Sequence, residues 1–456
     1  MSSDGQSHLE RIGGALKNVQ SFLRGNRFPG TVKRKEQSAE AGGACGQAGA
    51  SFSGPGGRPG PHQGAAVDPV PSDQSLQEYV EVPPCSPSES AAVQTGHHSN
   101  VFEGLPPGNR DESRQQETST SQALQPTVRS HSVLREEKLQ KLLRAKMVNM
   151  DRLRELAWNG IPPGRRAVCW RLLLGYLPPN SDRQLAVLQR KRREYQSYVP
   201  EYYDISNTMR SEEEVGALRQ VGVDVPRTAP GVPFFQQPAV QKSLERILYI
   251  WGIRHPASGY VQGINDLVTP FLVAFVYEHL EGPMDSWQLA DLPEDVILNV
   301  EADTYWCLCK LLDGIQDHYT SAQPGIQRAV FKVRELVRRI DERVAQHLDD
   351  QGIDFLQFAF RWVNCLLVRE VPFHLVGRLW DTYLAEGQRF SDFLVYACVA
   401  FLLHWSDELQ GKEFQEMVIF LQHPPTADWT EQEIGVVLSH AHMYQTSFEK
   451  ARSHLC

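Results

Sequence analysis

Large aromatic side chains are confined almost entirely to one part of this chain. All nine Trp residues lie at or after Trp158, and only five of the 42 Phe, Tyr and Trp residues fall within residues 1–130. The same segment holds 17 of the 34 Gly and 12 of the 29 Pro. So few large apolar side chains cannot offset the conformational entropy that the segment would lose on folding. We therefore predict one folded unit, residues 131–456, behind a long disordered N-terminal arm.

Within the folded unit, apolar residues recur at the three- and four-residue steps of a helix. The clearest faces lie at 139–156, 240–251, 300–315, 330–340, 355–366, 393–405 and 414–421. Convincing alternation of apolar and polar residues is absent, and Gly and Pro fall between the helical segments. The pattern predicts an all-α domain of a dozen or more helices, with its core at about 155–450.

The N-terminal arm divides into two segments of different composition. Residues 1–35 carry seven Lys or Arg against two Asp or Glu, and five apolar residues recur there at helical spacing: Leu9, Ile12, Leu16, Val19 and Leu23. This segment could be an amphipathic helix that docks on a membrane surface or a partner, or a frayed peptide interrupted by Gly13 and Gly14. Residues 36–130 are rich in Gly, Pro, Ser and Gln, which is typical of a disordered linker.

Ser132 is a candidate phosphorylation site just after the linker, with Arg129 three residues before it. A phosphate there would add about two negative charges. A phosphopeptide-binding protein with an Arg-lined site, such as a 14-3-3 protein, could then bind phosphorylated Ser132. The alternative is a chance match, because such short patterns are common.

Charge and apolar content exclude several classes of function. The net charge of −9 argues against general nucleic-acid binding, which normally needs a basic surface. The longest uncharged apolar runs, 271–277 and 393–404, are shorter than the roughly 18 residues of a membrane span. The N-terminus lacks an apolar signal core, so we expect a cytoplasmic protein with free thiols and no transmembrane segment.

Ordinary catalytic and metal-binding signatures are missing from the sequence. No GxxxxGK[ST] phosphate loop, GxSxG elbow or HExxH pair occurs, and the eight Cys form no CxxC pair. We expect no cofactor and no metal of the protein's own.

Arg227 stands in a Pro-rich loop, with Pro226, Pro230 and Pro233 around it. Prolines stiffen such a loop and forbid regular helix. Asp224, three residues earlier, could orient the guanidinium, so that the Arg projects in a fixed direction. The alternative is an ordinary solvated charge.

A second loop, residues 259–266, places Tyr260 and Gln262 between two glycines. Turns at Gly259 and Gly263 and a helix cap at Asn265 or Asp266 would explain the other residues, but not this Tyr and Gln. An Arg can neutralise charge on a transferring phosphoryl group, and a Gln can position the attacking water. Neither residue does proton chemistry, so the nucleotide and Mg²⁺ would belong to a partner.

These two loops resemble motifs of the TBC domain, the catalytic domain of Rab GTPase-activating proteins. Residues Val221 to Arg227 are similar to its IxxDxxR motif, and Tyr260-Val-Gln262 is similar to its YxQ motif. Residues 160–175 resemble the RxxxW…LLG segment that opens the domain, and residues 378–383 match farther on.

The strings at 254–270 and 301–306 resemble the subgroup of TBC domain family members 22A and 22B. The whole resemblance covers roughly residues 150–450. Val221 replaces the usual Ile, and Ile264 stands where many members have Met.

The resemblance implies a multi-helix TBC domain with catalytic Arg227 and Gln262. Asp224 would hold Arg227, and Tyr260 would shape the Gln loop. Arg166 and Trp170 would be scaffold residues. The partner would be a Rab-family GTPase, which holds the GTP and Mg²⁺ and which the two side chains would stimulate in trans.

Two classes of function remain open at this point. The first is a GTPase-activating protein, and the second is a non-catalytic Rab-binding or membrane-trafficking scaffold. The basic N-terminal segment and the subgroup resemblance suggest peripheral association with Golgi or other endomembranes through an adaptor protein.

Overall fold

A computed structural model describes residues 133–320 and 322–449. Within these ranges the chain forms sixteen α-helices and no β-strand, apart from one isolated bridge between Met147 and Asn180. The predicted all-α class is therefore confirmed for this part of the chain. The predictions for residues 1–35, residues 36–130 and Ser132 lie outside the described residues.

The helices follow one another along the chain, and the longest connection, residues 277–293, joins α7 to α8. They are α1 (133–143), α2 (Met150–Trp158), α3 (Pro163–Leu173), α4 (Ser181–Tyr198), α5 (Glu212–Asp224), α6 (Pro238–Arg254), α7 (Ile264–Val276), α8 (Glu294–Asp313), α9 (Pro324–Ile340), α10 (Glu342–Asp350), α11 (Ala359–Asn364), α12 (Phe373–Glu386), α13 (Phe390–Leu403), α14 (Ser406–Gln410), α15 (Phe414–Gln422) and α16 (Glu431–Glu449). None of the helices in the described ranges combines the length and apolarity that crossing a bilayer requires.

Two apolar helices, α7 and α13, run through the core. Helix α7 packs against α3, α6, α8 and α12, while α13 packs against α9, α11, α12 and α16. The aromatic rings of Trp170, Phe271 and Trp380 meet between α3, α7 and α12, with centroids 5.2–6.3 Å apart. Apolar burial on all sides explains why these two helices lack a polar face.

Two of the predicted apolar faces are interrupted in the structure. The face at 139–156 is divided between α1 and α2, because Val148 donates its N–H to the Pro179 carbonyl (2.9 Å) and Asn149 caps α2. The face at 355–366 contains the 3₁₀ turn Phe355–Gln357 before the short helix α11. Helical spacing of apolar residues identifies a buried face, but it does not reveal a break that a distant segment stabilises.

The buried carboxylate of Asp381 joins the opening motif to α12. It accepts hydrogen bonds from Trp170 Nε1 (2.9 Å), from the Ile161 backbone N–H (2.9 Å) and from Arg166 Nε (3.2 Å). Burial raises the pKa of Asp381 to about 6, although the Arg166 charge and the three hydrogen bonds oppose this shift. Arg166 and Trp170 therefore have structural contacts, which agrees with their predicted scaffold role.

Candidate functional site

Helix α5 places Arg227 on the protein surface. The helix begins with a capping box between Ser211 and Glu214 and ends at Asp224, after which Val225–Arg227 form one 3₁₀ turn. Pro226 occupies the first turn of this 3₁₀ segment, where its missing N–H costs no hydrogen bond. Asp224 is buried, whereas Arg227 is exposed and has no hydrogen bond or ion pair from its side chain to any described residue.

The expected contact between Asp224 and the Arg227 guanidinium is not formed. Instead, Asp224 Oδ2 accepts hydrogen bonds from Tyr260 Oη (3.0 Å) and from Gln220 Nε2 (3.0 Å). Its other oxygen, Oδ1, is buried and has no hydrogen-bond partner in the described part of the chain. The helix turns Asp224 toward the core, and the following 3₁₀ turn leaves Arg227 facing solvent.

The loop that carries Gln262 is bounded by two left-handed glycines, as expected. Gly259 has φ 64° and Gly263 has φ 108°. A Cβ atom on Gly263 would lie 2.2 Å from Asn364 Nδ2, so this position requires glycine for space as well as for conformation. Asn364 Nδ2 also donates to the Gln262 carbonyl (3.1 Å), which fixes the backbone and leaves the Gln262 side chain without a partner in the described ranges.

The expected capping role of Asn265 or Asp266 is wrong. The N-cap of α7 is Gly263, and both side chains lie inside the first turn of the helix. Asn265 Oδ1 accepts the Gly263 N–H (3.0 Å), which holds the end of the loop against the helix.

Hydrogen bonds join the two candidate loops directly. Tyr260 Oη lies 3.0 Å from Asp224 Oδ2 and 3.3 Å from Asn265 Oδ1, and it has a single proton to share between them. Asn265 Nδ2 donates to Thr228 Oγ1 (3.0 Å), and the Thr228 hydroxyl donates to the Asp224 carbonyl (3.1 Å). Burial and the neighbouring Asp224 carboxylate hold the pKa of Tyr260 well above its ordinary value, so the phenol stays a neutral donor.

A surface cavity of about 520 Å³ adjoins this network, and both Arg227 and Arg369 line it. Arg369 Nε donates to the buried carboxylate of Asp266 (2.9 Å), at the start of α7. Burial raises the pKa of Asp266, and the Arg369 charge opposes that shift. The ion pair fixes the segment after α11 against the helix that follows the Gln loop.

The structure thus brings together all four residues that the sequence singled out in this region. Residues Asp224 and Tyr260 are internal to the network, while Arg227 and Gln262 present side chains without partners in the part of the chain described. Thr228 and Asn364 were not anticipated, because neither belongs to a recognisable motif and Asn364 comes from a helix 102 residues away.

Residues 164–410 match the Rab-GTPase-TBC domain family. TBC1 domain family member 22B of Homo sapiens is 48% identical over 329 residues, which are 72% of this chain and 64% of that protein. The GTPase-activating protein gyp1 of Schizosaccharomyces pombe is 50% identical over 326 residues, which are 71% of this chain and 63% of that protein. The chain therefore spans less than two thirds of the length of either relative.

The crystal structure of the Ypt/Rab-GAP domain of Gyp1p is similar to this fold, with a TM-score of 0.65 and 44% sequence identity. The likeness covers 69% of this chain and 99% of that chain. The family match, the relatives and the fold agree with the resemblance of the two loop motifs. This chain belongs to the Rab-GTPase-TBC domain family.

Proposed function

We propose that this chain is a GTPase-activating protein for a Rab-family small GTPase, with Arg227 and Gln262 acting on the partner's nucleotide. The observation that carries the proposal is the network that joins the two loops and leaves these two side chains without partners among the residues that the structure describes. The names of relatives that are called GTPase-activating proteins support it.

In this proposal the guanidinium of Arg227 balances the negative charge that develops between the β- and γ-phosphates. The Gln262 amide orients the attacking water in place of the GTPase's own Gln. An arginine supplied in this way is worth about 10³–10⁵ in kcat. GTP and Mg²⁺ are held by the GTPase, so the chain needs no cofactor and has no hydrolase activity alone.

Asp224 and Tyr260 act as positioning residues. Their hydrogen bond fixes the distance between the end of α5 and the Gln loop before the GTPase binds. Preorganisation of this kind lowers the cost of placing both side chains in the transition state.

Single-turnover GTP hydrolysis with the full chain and a panel of GTP-loaded Rabs tests the proposal. For the most responsive Rab, Arg227→Lys is expected to abolish stimulation, because Lys keeps the charge but lacks the planar multi-donor head. Arg219→Lys is the matched control, since Arg219 is an exposed arginine on α5 and is expected to retain full activity. An unchanged rate in Arg227→Lys contradicts the role of Arg227.

The second candidate function is a scaffold that binds a Rab without useful catalysis. Gln262→Ala separates the two functions, because its side chain has no internal partner in the described ranges and its loss should not disturb the fold. Rab binding that persists together with a lost rate enhancement supports the activating enzyme. If the unaltered chain binds Rabs of the panel but leaves every hydrolysis rate unchanged, the chain is a scaffold.

For location, the proposal places the chain in the cytoplasm and peripherally on Golgi or other endomembranes. The net charge of +5 in residues 1–35 would support docking on an adaptor protein, and phosphorylated Ser132 would recruit a 14-3-3 protein. Deletion of residues 1–35 is expected to disperse a membrane-associated fluorescent fusion. A distribution that does not change removes this segment from the targeting mechanism.

A further inference from the structure

A second cavity, of about 430 Å³, lies among α4, the end of α6 and the end of α8. It does not share a lining residue with the cavity beside Arg227. Its walls combine basic and aromatic side chains, in a chain whose overall charge is −9. We refer to it as the basic cavity.

Four basic side chains and one acidic side chain line the basic cavity: Arg190, Lys191, Arg254, Lys310 and Asp313. Lys310 pairs with Asp313 (3.3 Å). Arg190 and Arg254 form no ion pair with any residue that the structure describes, although Arg254 Nε donates to Tyr305 Oη (3.2 Å) and its charge lies near the Glu194 carboxylate. Asp313 and Glu194 are two carboxylates against four cations, so two positive charges remain in excess. A dianionic or polyanionic ligand would supply the missing charge.

Aromatic rings fix two of the cations in place. Lys191 Nζ lies 3.5 Å from the centre of the Trp306 ring, and its own counterion is Glu194 (2.9 Å). Arg254 Cζ lies 3.7 Å from the centre of the Tyr198 ring. A cation–π contact holds a charged head without neutralising it, so the charge of Arg254 remains available to a ligand.

The register of α4 decides which of its basic residues face the cavity. Residues 190–193 are four consecutive basic residues, and successive helical positions differ in direction by about 100°. Arg192 forms an ion pair with the buried Asp303 (2.7 Å), and Arg193 donates to the Gln189 carbonyl (3.3 Å). Arg190 and Lys191 therefore line the cavity while their two neighbours do not.

Helix dipoles account for only part of this charge. Arg254 and Lys310 lie in the last turns of α6 and α8, where a cation is favourable without any ligand. Arg190 and Lys191 lie in the interior of α4, which spans Ser181–Tyr198, so the dipole gives no reason for them. Their convergence with Arg254 on one concave surface is better explained by an anion.

We propose that the basic cavity binds a multiply phosphorylated sugar headgroup, of the inositol phosphate type, either free or attached to a membrane lipid. Arg190 and Arg254 would form charge-assisted hydrogen bonds to phosphate oxygens, and the partly exposed Trp306 side chain would contact the apolar face of the ring. No residue lines both this cavity and the one beside Arg227, so the binding test can fail without the GTPase-activating proposal failing.

Two binding measurements on the full chain test the site and distinguish the sources of the ligand. Calorimetry with soluble inositol 1,4,5-trisphosphate measures the free headgroup. Flotation with phosphatidylcholine vesicles, with and without phosphatidylinositol 4-phosphate, measures the lipid. Binding of either probe supports the site, and the arm in which it is stronger identifies the source.

Charge reversals on one helix provide matched variants. Arg190→Glu is expected to weaken binding of the positive probe at least tenfold, because it removes one phosphate contact and adds repulsion. Arg193→Glu makes the same change in net charge three residues away, outside the cavity, and is expected to alter binding less than twofold. Arg254→Gln, which keeps hydrogen-bond donors but removes the charge, is expected to weaken binding as Arg190→Glu does.

Several results would overturn the proposal. The absence of binding to both probes would overturn the proposal. Binding of a phosphopeptide by a chain that binds neither probe would also overturn it. Equal losses in Arg190→Glu and Arg193→Glu would mean that the ligand senses only the net charge of the surface. Thermal unfolding of each variant shows whether it remains folded. If Arg190→Glu does not fold, the binding of Arg254→Gln tests the proposal instead.

Discussion

At the scale of single residues, the Tyr260 hydroxyl is the direct link between the two candidate loops. Tyr260→Phe removes the contacts with Asp224 and Asn265 and leaves the ring in place. We expect about a tenfold loss of Rab-stimulated kcat with little change in Rab affinity, because a loosened Gln loop misplaces the water-orienting amide. Single-turnover hydrolysis at saturating protein, together with a Rab-binding measurement, checks this.

Tyr203→Phe is the control for that substitution. The Tyr203 hydroxyl also donates to a carboxylate, that of Glu245 (2.5 Å), but it belongs to neither loop. Both variants should lose about 1 kcal/mol of unfolding free energy for the hydrogen bond. Equal effects of the two variants on kcat would show that Tyr260 contributes only to stability.

Gly263 is the residue at which loop conformation and packing are most demanding. Gly263→Ala introduces a Cβ at φ 108° and 2.2 Å from Asn364 Nδ2, and we expect it to cost about 3 kcal/mol or more of unfolding free energy. Gly175→Ala has a similar positive φ of 70° but meets no atom within 4 Å, so it should cost only about 1 kcal/mol. Urea denaturation compares the two, and equal losses would mean that Asn364 moves away at no cost.

The residues that carry the proposed chemistry were easier to predict than those that position them. Arg227 and Gln262 stand out because an Arg between prolines and a Gln between glycines are poorly explained by folding alone. Asn364 and Thr228 are ordinary side chains whose significance depends on contacts across the fold. Proximity in sequence suggests a contact between Asp224 and Arg227, whereas the buried end of α5 directs the Asp224 carboxylate to Tyr260.

At the scale of helices, Asp381 on α12 holds the start of α3 and the turn before it. We expect Asp381→Asn to destabilise the fold by about 3 kcal/mol, because the amide leaves the partly buried Arg166 without its counterion and turns a donor toward Trp170 Nε1 or the Ile161 N–H. Urea denaturation measures the change. The loss should exceed that in Glu136→Gln, which breaks the surface pair with Arg165 and should cost less than about 1 kcal/mol.

Comparable losses in these two variants would contradict the assigned role of Asp381.

The helices themselves are predictable from the sequence, because a period of 3.6 residues in apolar positions is a local property. The hydrogen bonds from Ile161 and Trp170 to Asp381 span more than 200 residues, so no local pattern contains them.

At the scale of the whole molecule, packing makes stability depend on pH through a buried imidazole. His318 lies in the 3₁₀ turn before α9, and its Cδ2 is so close to Gly325 that a Cβ there would be 2.5 Å away. Burial lowers the pKa of His318 to about 4, and the nearby Arg328 charge contributes to the shift, while Asp317 opposes it. Its Nδ1 has no hydrogen-bond partner in the described ranges, which agrees with an imidazole enclosed by packing.

Because the unfolded chain binds this proton more readily than the folded chain, the stability that neutral His318 contributes is present above its ordinary pKa of about 6.5. It is lost as the pH falls from there toward 4. Between pH 7 and pH 5 the unfolding free energy should fall by about 2 kcal/mol more in the unaltered chain than in His318→Phe, whose ring cannot titrate. Urea denaturation of both proteins at the two pH values gives the difference directly, and parallel losses would mean that α9 opens enough at pH 5 to hydrate the charged ring.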